Sequence, residues 1–211
     1  AFLPSIRSSR LPRKPTNKQT SGQLRIIAGQ CRGRRISFPP VAGLRPTGDR
    51  LRETLFNWLT AELHGARCLD LFAGSGALGL EAASRGASET ILLELNRTAA
   101  QALEKNINTL GLESARVLNT NALNWLQQNI SGAKPFDILF LDPPFHSTLL
   151  DDAITTLTQQ STLLAREAMI YIEAPARHPL GFVPDNWQLH RHKTMGDVTG
   201  YLYRRCRSPD Y

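Results

Sequence analysis

The chain has little of several things that would classify it quickly. Three cysteines in 211 residues, Cys31, Cys68 and Cys206, are odd in number and far apart. That argues against a disulfide framework and against a zinc site, and it points to a reducing, cytoplasmic setting. No apolar run approaches the roughly 18 residues of a membrane span. Ala1 to Lys18 lacks the 7–15-residue apolar stretch of a secretory signal. Acid is scarce at one end. Residues 1–50 hold eleven of the 25 Lys/Arg but one of the 18 Asp/Glu (Asp49), a balance of +10 against −3 for the remainder. A basic arm on a mildly acidic body suits a polyanionic partner, because phosphate contacts release counterions and dominate nucleic-acid affinity. The bland alternative is a solvated tail that aids solubility.

At 23.4 kDa the chain can bury one sizeable core. Residues 1–22 carry Pro4, Pro12, Pro15, several serines and five Lys/Arg, and read as a flexible basic tail. Residues 23–65 read as a hairpin and a helix. Leu24 to Ala28 and Arg34 to Phe38 would be its strands, displaying Arg25, Arg32, Arg34 and Arg35, and Pro39-Pro40 ends it. Arg45-Pro46-Thr47-Gly48-Asp49 turns into the helix, with Thr47 or Asp49 as the cap. Leu51, Leu55, Trp58, Leu59 and Leu63 share one face of that helix, which would pack on the main sheet. From residue 66 to 207 strand and helix alternate. Strands are expected at Cys68–Leu71, Glu89–Leu95, Ala115–Leu118, Phe136–Leu141 and Ala168–Ala174, with a final hairpin of Trp187–Lys193 and Thr199–Arg205. Helices fall between them at 77–84, 96–110, 122–130 and 149–160, the second with capping-box spacing at Thr98 and Gln101. The pattern implies an α/β fold with a mainly parallel sheet.

The chemistry-bearing residues fall at the carboxyl ends of these strands, where open α/β sheets bind ligands. Asp70 precedes a glycine turn, Ala73-Gly74-Ser75-Gly76, whose bare backbone can approach a nucleotide-like ligand, and Gly79 lets the next helix pack closely on the sheet. Glu94 closes the second strand within an apolar run, where a carboxylate can accept both ribose hydroxyls. Asn121-Ala122 follows the third strand. Asp142-Pro143-Pro144-Phe145 follows the fourth and is the sharpest signal. Its two prolines remove backbone donors and stiffen the turn, so its carbonyls can accept from a ligand. Asp142 adds an anionic acceptor and Phe145 a flat apolar face, which together suit the exocyclic amino group of a stacked base. His146 reads as incidental. A nicotinamide-dependent oxidoreductase would share the glycine turn and the following acid but has no evident use for Asp142 to Phe145 or the basic arm. A non-catalytic RNA-binding module with a vestigial pocket is a third reading. On chemistry alone an adenine target also stays open.

Leu69 to Gly79, Glu94, and Asp142 to Phe145 resemble the motifs of class I S-adenosylmethionine-dependent methyltransferases that modify amino nitrogens. The block Arg25 to Gly29, Arg32-Gly33-Arg34, Arg45-Pro46-Thr47, Asp49-Arg50, Arg52-Glu53 and Leu55-Phe56-Asn57 narrows the resemblance to the bacterial family that methylates guanine N2 in small-subunit (16S) ribosomal RNA. The likeness spans about residues 23–205. It implies a Rossmann-like fold whose seven-stranded sheet has order 3-2-1-4-5-7-6, with helices on both faces. It implies S-adenosyl-L-methionine as cofactor, held by Asp70, Phe72, Gly74, Ser75 and Gly76 around its methionine part, Glu94 at the ribose, and Asn121 and Ala122 at the adenine. Asp142, Pro143, Pro144 and Phe145 would be catalytic. Arg25, Arg32, Arg34 and Arg35 would meet RNA, and Arg45 and Arg50 would lie near the RNA backbone or the cofactor pocket. The small ribosomal subunit is the implied partner, with no metal, no membrane and a monomeric enzyme.

Overall fold

Alternation of short apolar strands with amphipathic helices requires each strand to be covered on both faces, and the chain meets that requirement by winding back and forth across one sheet. The computed structural model of the protein describes residues 21–40, 48–128, 134–145, 147–160, 162–177 and 180–206. Two short strands come first, β1 (Gly22–Arg25) and β2 (Arg35–Phe38), paired antiparallel with Arg25 opposite Arg35. Helices α1 (Asp49–Trp58) and α2 (Thr60–Leu63) follow. The rest alternates: β3 (Arg67–Asp70), α3 (Gly79–Ser84), β4 (Glu89–Glu94), α4 (Arg97–Leu110), β5 (Ala115–Asn119), α5 (Ala122–Gln128), β6 (Phe136–Leu141), α6 (Leu149–Gln159), β7 (Leu164–Pro175), β8 (Trp187–Met195) and β9 (Val198–Arg205). The seven-stranded sheet has the order β5-β4-β3-β6-β7-β9-β8. It is parallel from β5 to β7, and β9 runs antiparallel to both neighbours. This is the order the family resemblance implies.

One face of the sheet is covered by α5 and α6, whose Leu126, Ile154 and Leu157 pack with Leu69, Leu93, Leu139 and Ile170. On the other face, Leu55, Phe56, Leu59 and Leu63 pack on Cys68, Ile138, Phe140, Tyr171 and Leu202, so the first helix does lie on the main sheet. Cys68 is a core residue, as expected.

Local starts and stops differ from the sequence reading in several places. The first hairpin strand is Gly22–Arg25 rather than Leu24 to Ala28, because the Ile27 and Ala28 N–H groups turn to Glu81, and the helix expected to carry Leu51 to Leu63 is broken at Leu59 into α1 and α2. Asp49 is not the cap of α1. Gly48 occupies that position without a side-chain bond, and Asp49 lies in the first turn paired with Arg52, while Thr47 lies outside the described residues. The Thr98–Gln101 pair is not the cap of α4 either, because the Asn96 side chain already accepts from the Ala99 N–H. The small-residue helix starts at Gly79, two residues late, since Gly74 and Gly76 both take positive φ and extend the turn. Finally, β7 begins at Leu164, where its first residues pair with β6 across an irregularity that breaks the apolar pattern.

The hairpin is fastened to α3 rather than left projecting. Glu81, fully buried, accepts the N–H groups of Ile27 and Ala28 at 2.8 and 2.9 Å. Ser84 Oγ accepts from Cys31 N–H and donates to the Ala28 carbonyl, and the Ser84 carbonyl accepts from Gln30 N–H. Gly29 makes this approach possible: its φ is +83°, and a Cβ there would lie 1.9 Å from the Ser84 oxygen. Gly29→Ala should therefore cost more than about 2 kcal/mol. The expected readout is a lowered melting temperature with early proteolytic cleavage of the hairpin; an unchanged melt would mean the junction is looser than described.

Candidate active site

Parallel strands deliver their carboxyl ends to one edge, and the direction of winding reverses between β3 and β6, which opens a crevice there. Asp70 ends β3 at 1% exposure. Its Oδ2 accepts the Gly79 N–H at 3.0 Å, and its Oδ1 has no hydrogen-bond partner. A Cβ on Gly79 would sit 2.7 Å from Leu92 and 3.1 Å from Asp70, so only glycine lets the helix come this close. Burial pushes the Asp70 carboxyl up to about 7. The Gly79 N–H and the nearby Phe72 N–H oppose the shift, while Glu94 and Glu173 reinforce it. Phe72 and Gly74 are half-buried, and Ser75 and Gly76 are buried in the turn.

Glu94 ends β4 and spans the gap to that turn. Its Oε2 accepts the Gly74 N–H at 2.8 Å and its Oε1 the Asn96 N–H at 2.7 Å. Each oxygen keeps a further lone pair for a hydroxyl donor. Beside it Leu95 stands 68% exposed, an apolar surface the sequence reading missed. Asn119 Nδ2 donates to the carbonyls of Glu94 and Leu95 and so ties β5 to this corner. Asn121 caps α5, its Oδ1 accepting the Asn124 N–H at 3.0 Å, and Ala122 is buried behind it.

The four residues after β6 bring the remaining chemistry. Asp142 is half-buried, Pro143 buried, and Phe145 39% exposed. Ser147 Oγ donates to the Pro144 carbonyl at 2.7 Å and fastens the far side of the turn. Among the described residues no donor meets the Pro143 carbonyl. On β7, Tyr171 donates to Glu173 Oε1 at 3.0 Å, and both are buried. Burial, then Glu173 and Asp142, hold the Tyr171 hydroxyl well above its usual range, so it stays a donor. His146 and Arg45 lie outside the described residues.

The edge thus gathers Asp70, Phe72, Gly74, Ser75, Gly76, Glu94, Asn121, Ala122 and Asp142 to Phe145. The arginines lie on other elements. Arg25, Arg32, Arg34 and Arg35 are exposed on the hairpin, and Arg50 on the first turn of α1. Arg34 spends its guanidinium on the Thr109 carbonyl near the end of α4, so it docks the hairpin as well as carrying charge. Arg25 and Arg35 face each other directly across β1 and β2, an arrangement that costs stability until an anion screens it. Sequence reasoning named Arg52 within the family block but missed its structural role: it is fully buried, bonds the Arg25 carbonyl and lies in the field of Glu81. Its signal was the stripe 52, 56, 59, 63 on one helix face. Among the described residues no His/Cys/Asp/Glu cluster could hold a metal ion, and no helix is long and apolar enough to cross a membrane.

A model of the family described as Conserved hypothetical protein 95 matches residues 24–204. Ribosomal RNA small subunit methyltransferase D of Escherichia coli (strain K12) is 50% identical over 192 residues, 91% of this chain and 95% of the relative. The protein of the same name from Haemophilus influenzae is 45% identical over 194 residues, 91% and 99% of the two chains. The chain belongs to this family. A solved Escherichia coli structure, 50% identical, superposes with a TM-score of 0.79 over 88% of this chain and 99% of its own. An RNA methyltransferase from Salinibacter ruber, solved with S-adenosyl-L-homocysteine, shares the fold at a TM-score of 0.59 and 12% identity, over 79% of this chain and 97% of its own. The family fold is therefore the Rossmann-like methyltransferase sheet.

A raised Asp70 has a defined pH signature. Its folded pKa exceeds its unfolded one, so its contribution to the stability of the ligand-free protein is greatest below about pH 4 and declines as pH rises toward about 7. Binding of an ammonium-bearing ligand runs the other way, since it needs the ionised form. Affinity for S-adenosyl-L-homocysteine should weaken by up to about tenfold per unit below pH 7, and Asp70→Asn should flatten that dependence. An unchanged profile in the variant would remove Asp70 from the ligand's ammonium.

Proposed function

We propose that this protein transfers a methyl group from S-adenosyl-L-methionine to the exocyclic N2 amino group of a guanine in 16S ribosomal RNA, within an assembled or partly assembled small subunit. The observation that carries the reading is the stiff Asp142-Pro143-Pro144-Phe145 turn set beside the Asp70 loop at the point where the strand order reverses. The names of the curated relatives support a small-subunit ribosomal RNA substrate, and the arginine-rich block supports the guanine-modifying branch.

The residues at the edge fit the cofactor. A buried carboxylate oxygen without a partner, Asp70 Oδ1, matches its ammonium. Phe72, Gly74, Ser75 and Gly76 would frame the methionine part, Glu94 would accept from the ribose hydroxyls, and Leu95, Asn121 and Ala122 would border the adenine. When bound, the cofactor supplies an electrophilic methyl group on a sulfonium, already a good leaving group. The protein's own work is then positioning, worth about 7–11 kcal/mol in ideal cases. Asp142 and the Pro143 carbonyl accept the two N–H bonds of the base's amino group and fix its direction. Phe145 stacks on the base, which must be unpaired or flipped to reach it. Asp142 would also stabilise the positive charge that develops on nitrogen as the C–N bond forms and the C–S bond breaks, the surplus N–H proton then passing to Asp142 or solvent. Pro143 and Pro144 keep the turn from relaxing. Arg25, Arg32, Arg34, Arg35, Arg45 and Arg50 hold the RNA by its phosphates, the residues 23–65 acting as an RNA-contacting extension of a monomeric methyltransferase over 66–207.

Asp142→Ala should lower transfer by at least about a thousandfold while leaving S-adenosyl-L-homocysteine binding, read by calorimetry, within a few-fold. Equal loss of both would mean that Asp142 serves the cofactor site or the fold rather than the amino group.

A further inference from the structure

Glu173 is a carboxylate at 3% exposure, near the reactive edge, with no part in holding the cofactor or the amino group. Strands β6 and β7 are parallel and pair Phe140 with Tyr171 and Leu141 with Ile172. Continued by one rung, that register would set Asp142 opposite Glu173, on strands about 4.8 Å apart, and both carboxylates act on the Tyr171 hydroxyl. Three features fix the Glu173 side chain. Tyr171 donates to its Oε1, the antiparallel partner of Glu173 on β9 is Gly200, and the Tyr171 hydroxyl occupies the space a Cβ on Gly200 would take, 2.5 Å away. The hydroxyl orients the carboxylate, whose two oxygens offer about four acceptor positions.

Asp142 and the Pro143 carbonyl do not by themselves distinguish guanine from adenine, since both bases present an amino group. The neighbouring ring nitrogen does: guanine N1 carries a hydrogen, adenine N1 a lone pair. We propose that Glu173 accepts the N1–H of the target guanine and thereby selects guanine over adenine. The proposal rests on the guanine-N2 reading and gives it a structural source. A buried acceptor facing a lone pair is left unpaired and desolvated, which is the condition under which sites reject a near-isostere strongly. Glu173 is a specificity-determining residue in this account, and Tyr171 positions it.

The test compares guanine with 2-aminopurine, which keeps the N2 amino group but carries a lone pair at N1, each placed at the mapped target in reconstituted small subunits. The wild-type enzyme should prefer guanine in kcat/KM by at least about 100-fold. Glu173→Gln should lose most activity on guanine and narrow that ratio at least about tenfold, because an amide can donate to N1 of 2-aminopurine. Glu173→Asp, which keeps the acceptor, should retain the preference at reduced rate. S-adenosyl-L-homocysteine binding and thermal melting establish that the variants fold. A ratio unchanged in Glu173→Gln, even with a lower rate, overturns the proposal and leaves guanine methylation standing. Equal wild-type activity on both bases overturns it too. A wild-type enzyme that labels no guanine overturns the underlying reading and this proposal with it.

Discussion

The site depends on one junction, the pairing of β3 with β6. These strands lie about 70 residues apart in the chain, yet Asp70 pairs with Phe140 and the Leu71 N–H bonds the Phe140 carbonyl. The crossovers on either side depart in opposite directions, with α3 and α4 on one face and α5 and α6 on the other. No helix therefore closes over the two strand ends, and both chains must turn away into loops. One loop is rich in glycine and exposes backbone. The other is rich in proline and rigidifies carbonyls. Their adjacency sets exposed backbone beside rigid carbonyls in one crevice.

Electrostatics divides the molecule to match. Four carboxylates, Asp70, Glu94, Asp142 and Glu173, are drawn to the reactive edge from four different strands. Burial, reinforced by Glu94 and Glu173, raises the cost of ionising Asp70. The positive charge is held elsewhere, on a hairpin whose Arg25 and Arg35 oppose one another. That hairpin is not loosely attached, because Glu81 and Ser84 bind its backbone to the helix that follows the glycine turn. The hairpin arginines are thus held in fixed register with the edge.

Much of this was legible in the chain. Most strand positions and the clustering of polar residues at strand ends follow from patterns with a local cause: apolar runs, glycine where φ is positive, proline after a strand; the strand order came only from the family resemblance. The misses have a common cause too. Gly48 rather than Asp49 caps α1, and Asn96 rather than the Thr98 pair caps α4, because N-cap preferences among these residue types are close and the neighbouring chain decides. Glu81 and Arg52 look like solvated helix charges until the hairpin covers them. Glu173 is an acid in an apolar strand, the same pattern that marks Glu94. Its meaning appears only when β7 lies beside β6, which no local pattern states. Leu95 was passed over because a leucine at the end of an apolar strand gives no hint that it will stand exposed.

The central claim is that this edge methylates an amino nitrogen of ribosomal RNA, and the direct test is transfer from labelled S-adenosyl-L-methionine to small ribosomal subunits that lack the modification. The RNA is digested and the labelled nucleoside identified. Label in N2-methylguanosine is the predicted result. Label in N6-methyladenosine would contradict the guanine assignment while keeping the amino-transfer chemistry, and no label with cofactor bound would contradict the account as a whole.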